Sequence, residues 1–306
     1  MNGVICIDKP SGMTSFDVVA LLRRLTHERK AGHAGTLDPM ATGVLPVFFG
    51  DATKAIPLLR THDKRYTAAL KLGITTDTGD ITGKILTTAE VSVTPEEVSD
   101  AAASFKGNIE QVPPMYSARK IGGRHLYDIA REGKEVEREA RLITIYDINV
   151  IGRDKAGKDY LIDVSCSEGT YIRTLCEDIG RKLGCGGTMS FLRRTYAAGF
   201  DIDECSDIDK VKKLSEEDKL QEILLDVEHI FGHLPLINIT ESQAARFRNG
   251  GALSFERLEN APQTGLCRVK YGDIFIGLGE AREEESQIRV KCHFNREVPI
   301  GGREVF

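Results

Sequence analysis

The sequence predicts an α/β protein whose strands pair mostly antiparallel, followed by a small module built of short strands. Three observations carry this. Tyr66, Ala68, Leu70 and Leu72 alternate with Thr67, Ala69 and Lys71, the period of a half-buried strand, and Thr76-Asp77-Thr78-Gly79-Asp80 beyond it is turn chemistry. Val18, Leu21, Leu22 and Leu25 recur at helical spacing, as the apolar stripe of a helix laid on a sheet. After Pro235 the remaining residues read as short strands with turn signals between them. The glycine fingerprint of a dinucleotide fold is missing from the strand–helix junctions.

In chain order, Val4 to Ile7 is a strand broken by Pro10-Ser11-Gly12, and Ser15 caps the first helix. A loop from Gly32 to Gly43 leads into a hydrophobic strand over Val44 to Phe49. Thr94-Pro95-Glu96-Glu97 combines an N-cap, an N1 proline and a capping-box glutamate. The helix it opens buries Val98, Ala101, Ala102 and Phe105, and Gly107 ends it. A second helix spans Arg124 to Glu132, with Gly133 as its left-handed terminator. Strands follow over Leu142 to Val150 and Tyr160 to Cys166. From Thr170 a helix keeps Ile172, Leu175, Cys176, Ile179 and Leu183 on one face until Gly184, which leaves Arg173 one residue off the buried stripe. An acidic helical segment closes near His229.

Length and composition bound the rest. The 306 residues point to about two domains. With 41% apolar and 28% charged residues the chain has the composition of a soluble globular protein. A secretory leader and a membrane-length apolar run are both missing, so a cytoplasmic protein is expected. Seven scattered cysteines form no Cys-x-x-Cys pair and read as free thiols.

A net charge of −5 argues against a nucleic-acid partner only if the charge is spread evenly, and it is not. Residues 201–228 hold eleven acids against four bases, a net of −7, which leaves +2 for the remainder. Arg23, Arg24, Arg29 and Lys30 lie upstream of His33, and Arg119, Lys120, Arg124, Arg131, Lys134, Arg138 and Arg141 crowd a stretch with five acids. Charge alone does not separate an RNA-facing surface from ordinary solvated faces.

The seven histidines include no His-Glu-x-x-His, no serine sits in Gly-x-Ser-x-Gly, and phosphate-cradling glycine loops are absent, so neither metal nor cofactor is expected. What remains is a carboxylate in a tight loop, Gly32-His33-Ala34-Gly35-Thr36-Leu37-Asp38-Pro39-Met40-Ala41-Thr42-Gly43. Taken alone, Asp before Pro is more often turn chemistry than catalysis. Its context changes that. Six blocks resemble, in order, the TruB family of tRNA pseudouridine-55 synthases: Gly3-Val4 to Asp8-Lys9-Pro10-Ser11-Gly12-Met13-Thr14-Ser15, the His33–Leu45 loop, Lys64-Arg65-Tyr66, Gln111-Val112-Pro113-Pro114-Met115-Tyr116-Ser117-Ala118, Gly169-Thr170-Tyr171-Ile172-Arg173-Thr174-Leu175 and Leu192-Arg193-Arg194. One departure is Glu168, where many relatives carry lysine.

The resemblance implies a mixed, largely antiparallel α/β pseudouridine-synthase core over residues 1–232 and a small β-barrel, PUA-like RNA-binding domain over 233–306. It implies Asp38 as the nucleophile that isomerises a flipped-out uridine in the T-loop of tRNA, with Arg173 as its ionic partner; an isolated helix arginine would be a surface group. Tyr66 would stack on the uracil and share in proton transfer, or else be a packed strand tyrosine. Tyr171 and Leu192 would line the same pocket, His33 would stack in the space left by extruded bases, and Arg119 and Lys120 would bind RNA. Phe247, Tyr271 and Phe275 serve equally well as core aromatics. The implied partner is the T-arm of tRNA, met by a monomer with no membrane and no obligate protein partner. Two alternatives stand beside this reading: an RNA-binding or RNA-folding protein without chemistry, and the RNA-guided branch that modifies ribosomal RNA. The first leaves Asp38 with Arg173 unexplained; the compact chain without basic tails disfavours the second.

Overall fold

A computed structural model describes residues 1–60, 62–117 and 119–295, the side chains of Lys120 and His125 excepted. Ala118 of the Gln111–Ala118 block, positions 296–306 of the C-terminal module and the Lys120 side chain therefore lie outside the described residues. The main sheet has nine strands among the described residues. They are β1 (Gly3–Lys9), β2 (Ala31–His33), β3 (Thr42–Phe49), β4 (Lys64–Leu72), β5 (Gly107–Gln111), β6 (Arg141–Arg153), β7 (Tyr160–Cys166), β8 (Gly187–Ala197) and β9 (Phe200–Asp201). Their order is β1-β3-β8-β4-β7-β6-β5, with β2 beside β3 and β9 beside β8. Every pairing is antiparallel except β3 with β8, which meet in parallel at Arg193 opposite Thr42 and Arg194 opposite Gly43. The observed fold class is the predicted one, mixed α/β and largely antiparallel.

Helices α1 (Ser15–Thr26), α2 (Pro95–Ala103), α3 (Leu126–Arg131), α4 (Ile172–Lys182) and α5 (Ile208–Glu216) complete the core, and a short α6 (Val227–Ile230) leads out of it. Their buried stripes explain where they sit. Val98, Ala101 and Ala102 of α2 and Ile172, Leu175, Cys176 and Ile179 of α4 share one cluster with Ala68, Leu70 and Ile162 of the sheet. Val18, Val19 and Leu22 of α1 share another with Ile5, Ile7, Leu45 and Val47, and α5 adds Val211. At the N-terminus of α1 the capping residue is Thr14, whose hydroxyl accepts from Asp17 N, one residue before the expected Ser15. Gly107 does not end α2, which stops at Ala103; it opens β5. The helix expected over Arg124 to Glu132 is shorter, because Arg124 and His125 form a two-residue strand first.

The C-terminal module is a five-stranded sheet, β10 (Leu236–Asn238), β11 (Leu253–Ser254), β12 (Gly265–Tyr271), β13 (Ile274–Arg282) and β14 (Gln287–His293), in the order β10-β12-β13-β14-β11. A helix the pattern did not announce, α7 (Glu241–Arg248), buries Phe247 against it. The module is continuous with the core: Phe275, Leu278 and Phe294 share a cluster with Val4, Phe48 and Ala55. Phe294 stacks on Phe231 and Phe275 with ring centroids 5.7 and 5.5 Å apart. Among the described residues, no helix is long and apolar enough to cross a membrane.

Candidate active site

Asp38 sits in the loop between β2 and β3, and that loop is held at nearly every carbonyl. The Gly35 and Thr36 carbonyls accept from the Arg194 guanidinium at 3.0 and 3.4 Å. Ser15 Oγ donates to the Leu37 carbonyl and accepts from its N–H, at 3.2 and 2.8 Å. The Asp38 carbonyl accepts from Ala41 N, and the Pro39 carbonyl accepts from both Gly12 N and Lys9 Nζ. Lys9 is fully buried and also donates to the Pro10 and Met13 carbonyls, and burial lowers its ammonium to about 8. Gly43 ends the loop where β3 meets β8. Its φ is +103°, and a Cβ there would lie 2.1 Å from the Arg194 carbonyl oxygen, so only glycine fits.

The partner arrives from α4. Arg173 Nε lies 3.0 Å from Asp38 Oδ2, and Nη2 lies 3.4 Å from Oδ1, a forked contact. Nη1 donates to the Thr78 carbonyl at 3.0 Å and Nη2 to the Tyr116 carbonyl at 2.6 Å, so the fork cannot swing. Behind it stands a second carboxylate, Asp80 Oδ2, 3.9 Å from Nη1 and itself tied to the Thr78 and Thr82 hydroxyls. Sequence reasoning left Arg173 beside the buried stripe; the side chain is 6% exposed because loop carbonyls and two carboxylates replace its water. The helix start is fixed by Gln111, whose amide accepts from Tyr171 N at 2.7 Å and donates to Tyr171 O at 3.0 Å.

Asp38, Tyr66, Tyr171, Arg173, Leu192 and Arg119 line one cavity of about 250 Å³. Tyr66 is buried on β4, directly opposite Arg194 in the sheet register. Burial pushes the Tyr66 phenol up to about 12, with the Arg194 guanidinium working in the other direction. The phenol is therefore neutral at physiological pH. Burial also raises the Asp38 carboxyl above the ordinary aspartate range; Arg173 opposes this and the Asp80 charge adds to it. The side chain nonetheless keeps 34% of its surface open to the cavity. His33 is not in this cavity. It lines a larger one of about 690 Å³ on the other side of Asp38 and Arg173, with Phe16, Met40, Tyr127 and Arg131.

The basic stretch divides. Arg124 and Lys134 pair with Glu132, and Arg138 pairs with Glu135. Arg119 and Arg131 reach the two cavities instead. His33 Nδ1, Ser117 Oγ and Arg119 Nη1 are buried with no hydrogen-bond partner among the described residues. Sequence reasoning gave no role in the site to Lys9, Ser15, Asp80, Gln111 or Arg194, reading Ser15 as a helix cap and Asp80 as part of a turn. All but Asp80 fall inside the blocks quoted for the resemblance, and a buried lysine and arginine leave no periodic signal.

The chain resembles solved structures, family models and curated relatives over most of its length. The crystal structure of a Cbf5-Nop10-Gar1 complex holds a chain 28% identical, with a TM-score of 0.71 over 95% of this chain and 84% of that one. A chain in the structure of an H/ACA RNP bound to a substrate RNA containing 2′-deoxyuridine is 26% identical, with a TM-score of 0.70 over 97% and 85%. The family models give the class, a pseudouridylate synthase. Residues 23–172 match the N-terminal domain model of the TruB family pseudouridylate synthases, residues 173–231 the tRNA pseudouridylate synthase B C-terminal domain, and residues 235–291 the C-terminal model of pseudouridine synthase II TruB. The tRNA pseudouridine synthase B of Aromatoleum aromaticum is 45% identical over 92% of this chain and 89% of its own length. That of Clostridium tetani is 44% identical over 94% and 98%. The chain belongs to the TruB family of pseudouridylate synthases.

Proposed function

We propose that the protein converts uridine to pseudouridine at position 55 in the T-loop of tRNA, with Asp38 as the nucleophile acting on a flipped-out base. The observation that carries this is the Asp38 carboxylate, forked by a buried Arg173 and open to a cavity walled by Tyr66, Tyr171 and Leu192. The reaction breaks the C1′–N1 bond and forms a C1′–C5 bond, so nothing is consumed. C5 gives up a proton and N1 gains one. An ionised carboxylate can supply the electron pair without a separate base, and Arg173 opposes the rise that burial imposes on the Asp38 carboxyl. Tyr66 supports the uracil ring, and its neutral hydroxyl can relay a proton. Ser117 Oγ and Arg119 Nη1, both buried without partners, offer donors to the RNA.

The tRNA substrate is supported by the relatives named tRNA pseudouridine synthase B, 38–45% identical over nearly the whole chain. The structural neighbours from H/ACA assemblies are 26–28% identical, and their protein partners are their own. On this reading the enzyme is a monomer acting in the cytoplasm without an obligate partner, with residues 1–232 catalytic and 233–306 an RNA-binding PUA-like domain. The test is Asp38→Asn, which keeps shape and loses charge. We expect single-turnover isomerisation of a T-arm hairpin to fall by at least about 10³-fold while hairpin affinity stays within a few-fold. Pseudouridine mapped at another tRNA position, or near-normal turnover by the variant, overturns the reading.

A further inference from the structure

The start of β4 carries a second basic cavity, which the chemistry above does not use. Arg60, Lys64 and Arg65 surround about 340 Å³, closed by Asp63, Ser165 and Tyr196. The Arg65 guanidinium lies over the Tyr196 ring, 4.9 Å from its centroid, so its plane is held by stacking while its edge stays open. The one carboxylate in the wall, Asp63, accepts a hydrogen bond from Tyr146 Oη at 3.0 Å. Three cations thus face one such anion in the wall, Lys64 Nζ also donating to the His62 carbonyl at 2.9 Å.

The cavity's position gives an anion bound there a class. Lys64 lines this cavity and the Asp38 cavity alike. Along β4, Lys64 and Tyr66 point to one face and Arg65 to the other, so the three cations straddle the end of the sheet beside the base pocket. Lys64 is kept short of solvent, with Arg194 nearby, and both lower its ammonium from its ordinary value. A charge placed so gains from an anion that covers it.

We propose that the Arg60–Lys64–Arg65 cavity binds a backbone phosphodiester of the same RNA whose uridine enters the Asp38 cavity, the strand crossing over Lys64 from one cavity to the other. This rests on the RNA-modifying reading above. Planar guanidinium forks suit a phosphodiester's two free oxygens, and a sequence-independent contact of this kind sets register without reading bases.

The experiment uses the full chain with Arg60→Gln and Arg65→Gln together. Both side chains are exposed, so the fold is not at stake, and Lys64 is left in place because it also faces the base. Binding of a T-arm hairpin across a salt series should weaken about 5–20-fold near physiological salt. The slope of log K against log salt should become shallower by about one, the value for one lost phosphate contact. Single-turnover isomerisation at saturating hairpin should stay within about twofold. Hairpins with one phosphodiester at a time replaced by an uncharged methylphosphonate should include one position that weakens the wild type but hardly weakens the variant further. Unchanged affinity and slope, the lack of such a position, or a collapse of the saturating rate would each overturn the site. So would inorganic phosphate competing with RNA beyond what chloride of equal ionic strength does, since that marks a free-anion site. If the wild type leaves the hairpin uridine unmodified, the catalytic reading fails on that result, while the binding series still decides the phosphate contact.

Discussion

Residues 35–43 carry Asp38, whereas Tyr116, Ser117, Arg119, Tyr127 and Arg131 of the stretch from 112 to 139 line the cavities beside it, and the two segments are built in opposite ways. In the first segment the carbonyls of five successive residues, Gly35 to Pro39, each accept a hydrogen bond, from Arg194, Ser15, Ala41, Gly12 or Lys9. In the second, the regular structure among the described residues is a two-stranded turn and one helix of six residues, and Glu132 pairs there with the exposed Arg124 and Lys134. Ser117 Oγ and Arg119 Nη1 lie there unpartnered, whereas the first segment holds its polar atoms fast. On the proposed function the contrast separates two tasks. A nucleophile gains from being fixed before substrate arrives, and a surface that grips RNA gains from groups that settle only on binding.

The sharpest way to break the comparison is to loosen the first segment from below. Arg194→Met removes the donor that one fully buried guanidinium supplies to three carbonyls, Gly35, Thr36 and Val44. We expect a stability loss on the order of 3 kcal/mol by chemical denaturation and a fall of about 10²-fold in the single-turnover rate. Arg194→Lys should recover part of both, and a variant with normal rate would show that the loop is not held from there. Next comes Arg173→Lys, which keeps the charge and loses the fork. The rate should drop about 10–100-fold. The acid limb should also move slightly to higher pH, because the lost hydrogen bond from Arg173 is one of the contacts that oppose the burial-driven rise of the Asp38 pKa. An acid limb that stays put would deny Arg173 that role.

The second segment should respond in binding, not in rate. Arg119→Gln with Lys120→Gln is expected to weaken T-arm affinity about 3–10-fold and to make the salt dependence shallower by one to two, in a titration against salt. The saturating rate should hold within about twofold, and a larger loss of rate than of affinity would erase the division of labour. The smallest effect is expected at Glu168, which lines the Asp38 cavity and whose charge favours the protonated form of Lys64. Glu168→Lys should tighten RNA binding about two- to fivefold, and weaker binding would mean the glutamate serves a local contact instead.

How much of this was legible differs by element. The capping box at Thr94 to Glu97 and the alternation in β4 are local signals, and both elements stand where they were read. Strand β8 was not read at all, although it pairs with β4 along its whole length. Two bulges, at Met189/Phe191 and Arg194/Tyr196, interrupt its alternation, and its most buried side chains include an arginine. Of the site residues named from the resemblance, Asp38, Tyr66, Arg119, Tyr171, Arg173 and Leu192 line one cavity, His33 lines the neighbouring one, and the Lys120 side chain lies outside the described residues. The supports could not be named in advance. Lys9, Ser15 and Arg194 act through backbone carbonyls, and which carbonyl a side chain reaches depends on tertiary packing that no window of sequence contains.

The union of the two ends of the molecule has a consequence for how it is made. Asn2 Nδ2 donates to the Phe294 carbonyl and to Asn295 Oδ1, 2.6 and 2.7 Å away, and Asn2 Oδ1 accepts from Ala52 N. The partners are 293 positions apart. At ribosomal speeds of about 5–20 residues per second, Asn2 emerges roughly 15–60 seconds before Asn295 exists. Strand β1 can pair with β3 early, yet the seal over its first residues closes only when the last strand of the small sheet arrives. The contact that ties Asn2 down therefore forms long after the strand that carries the neighbouring residues.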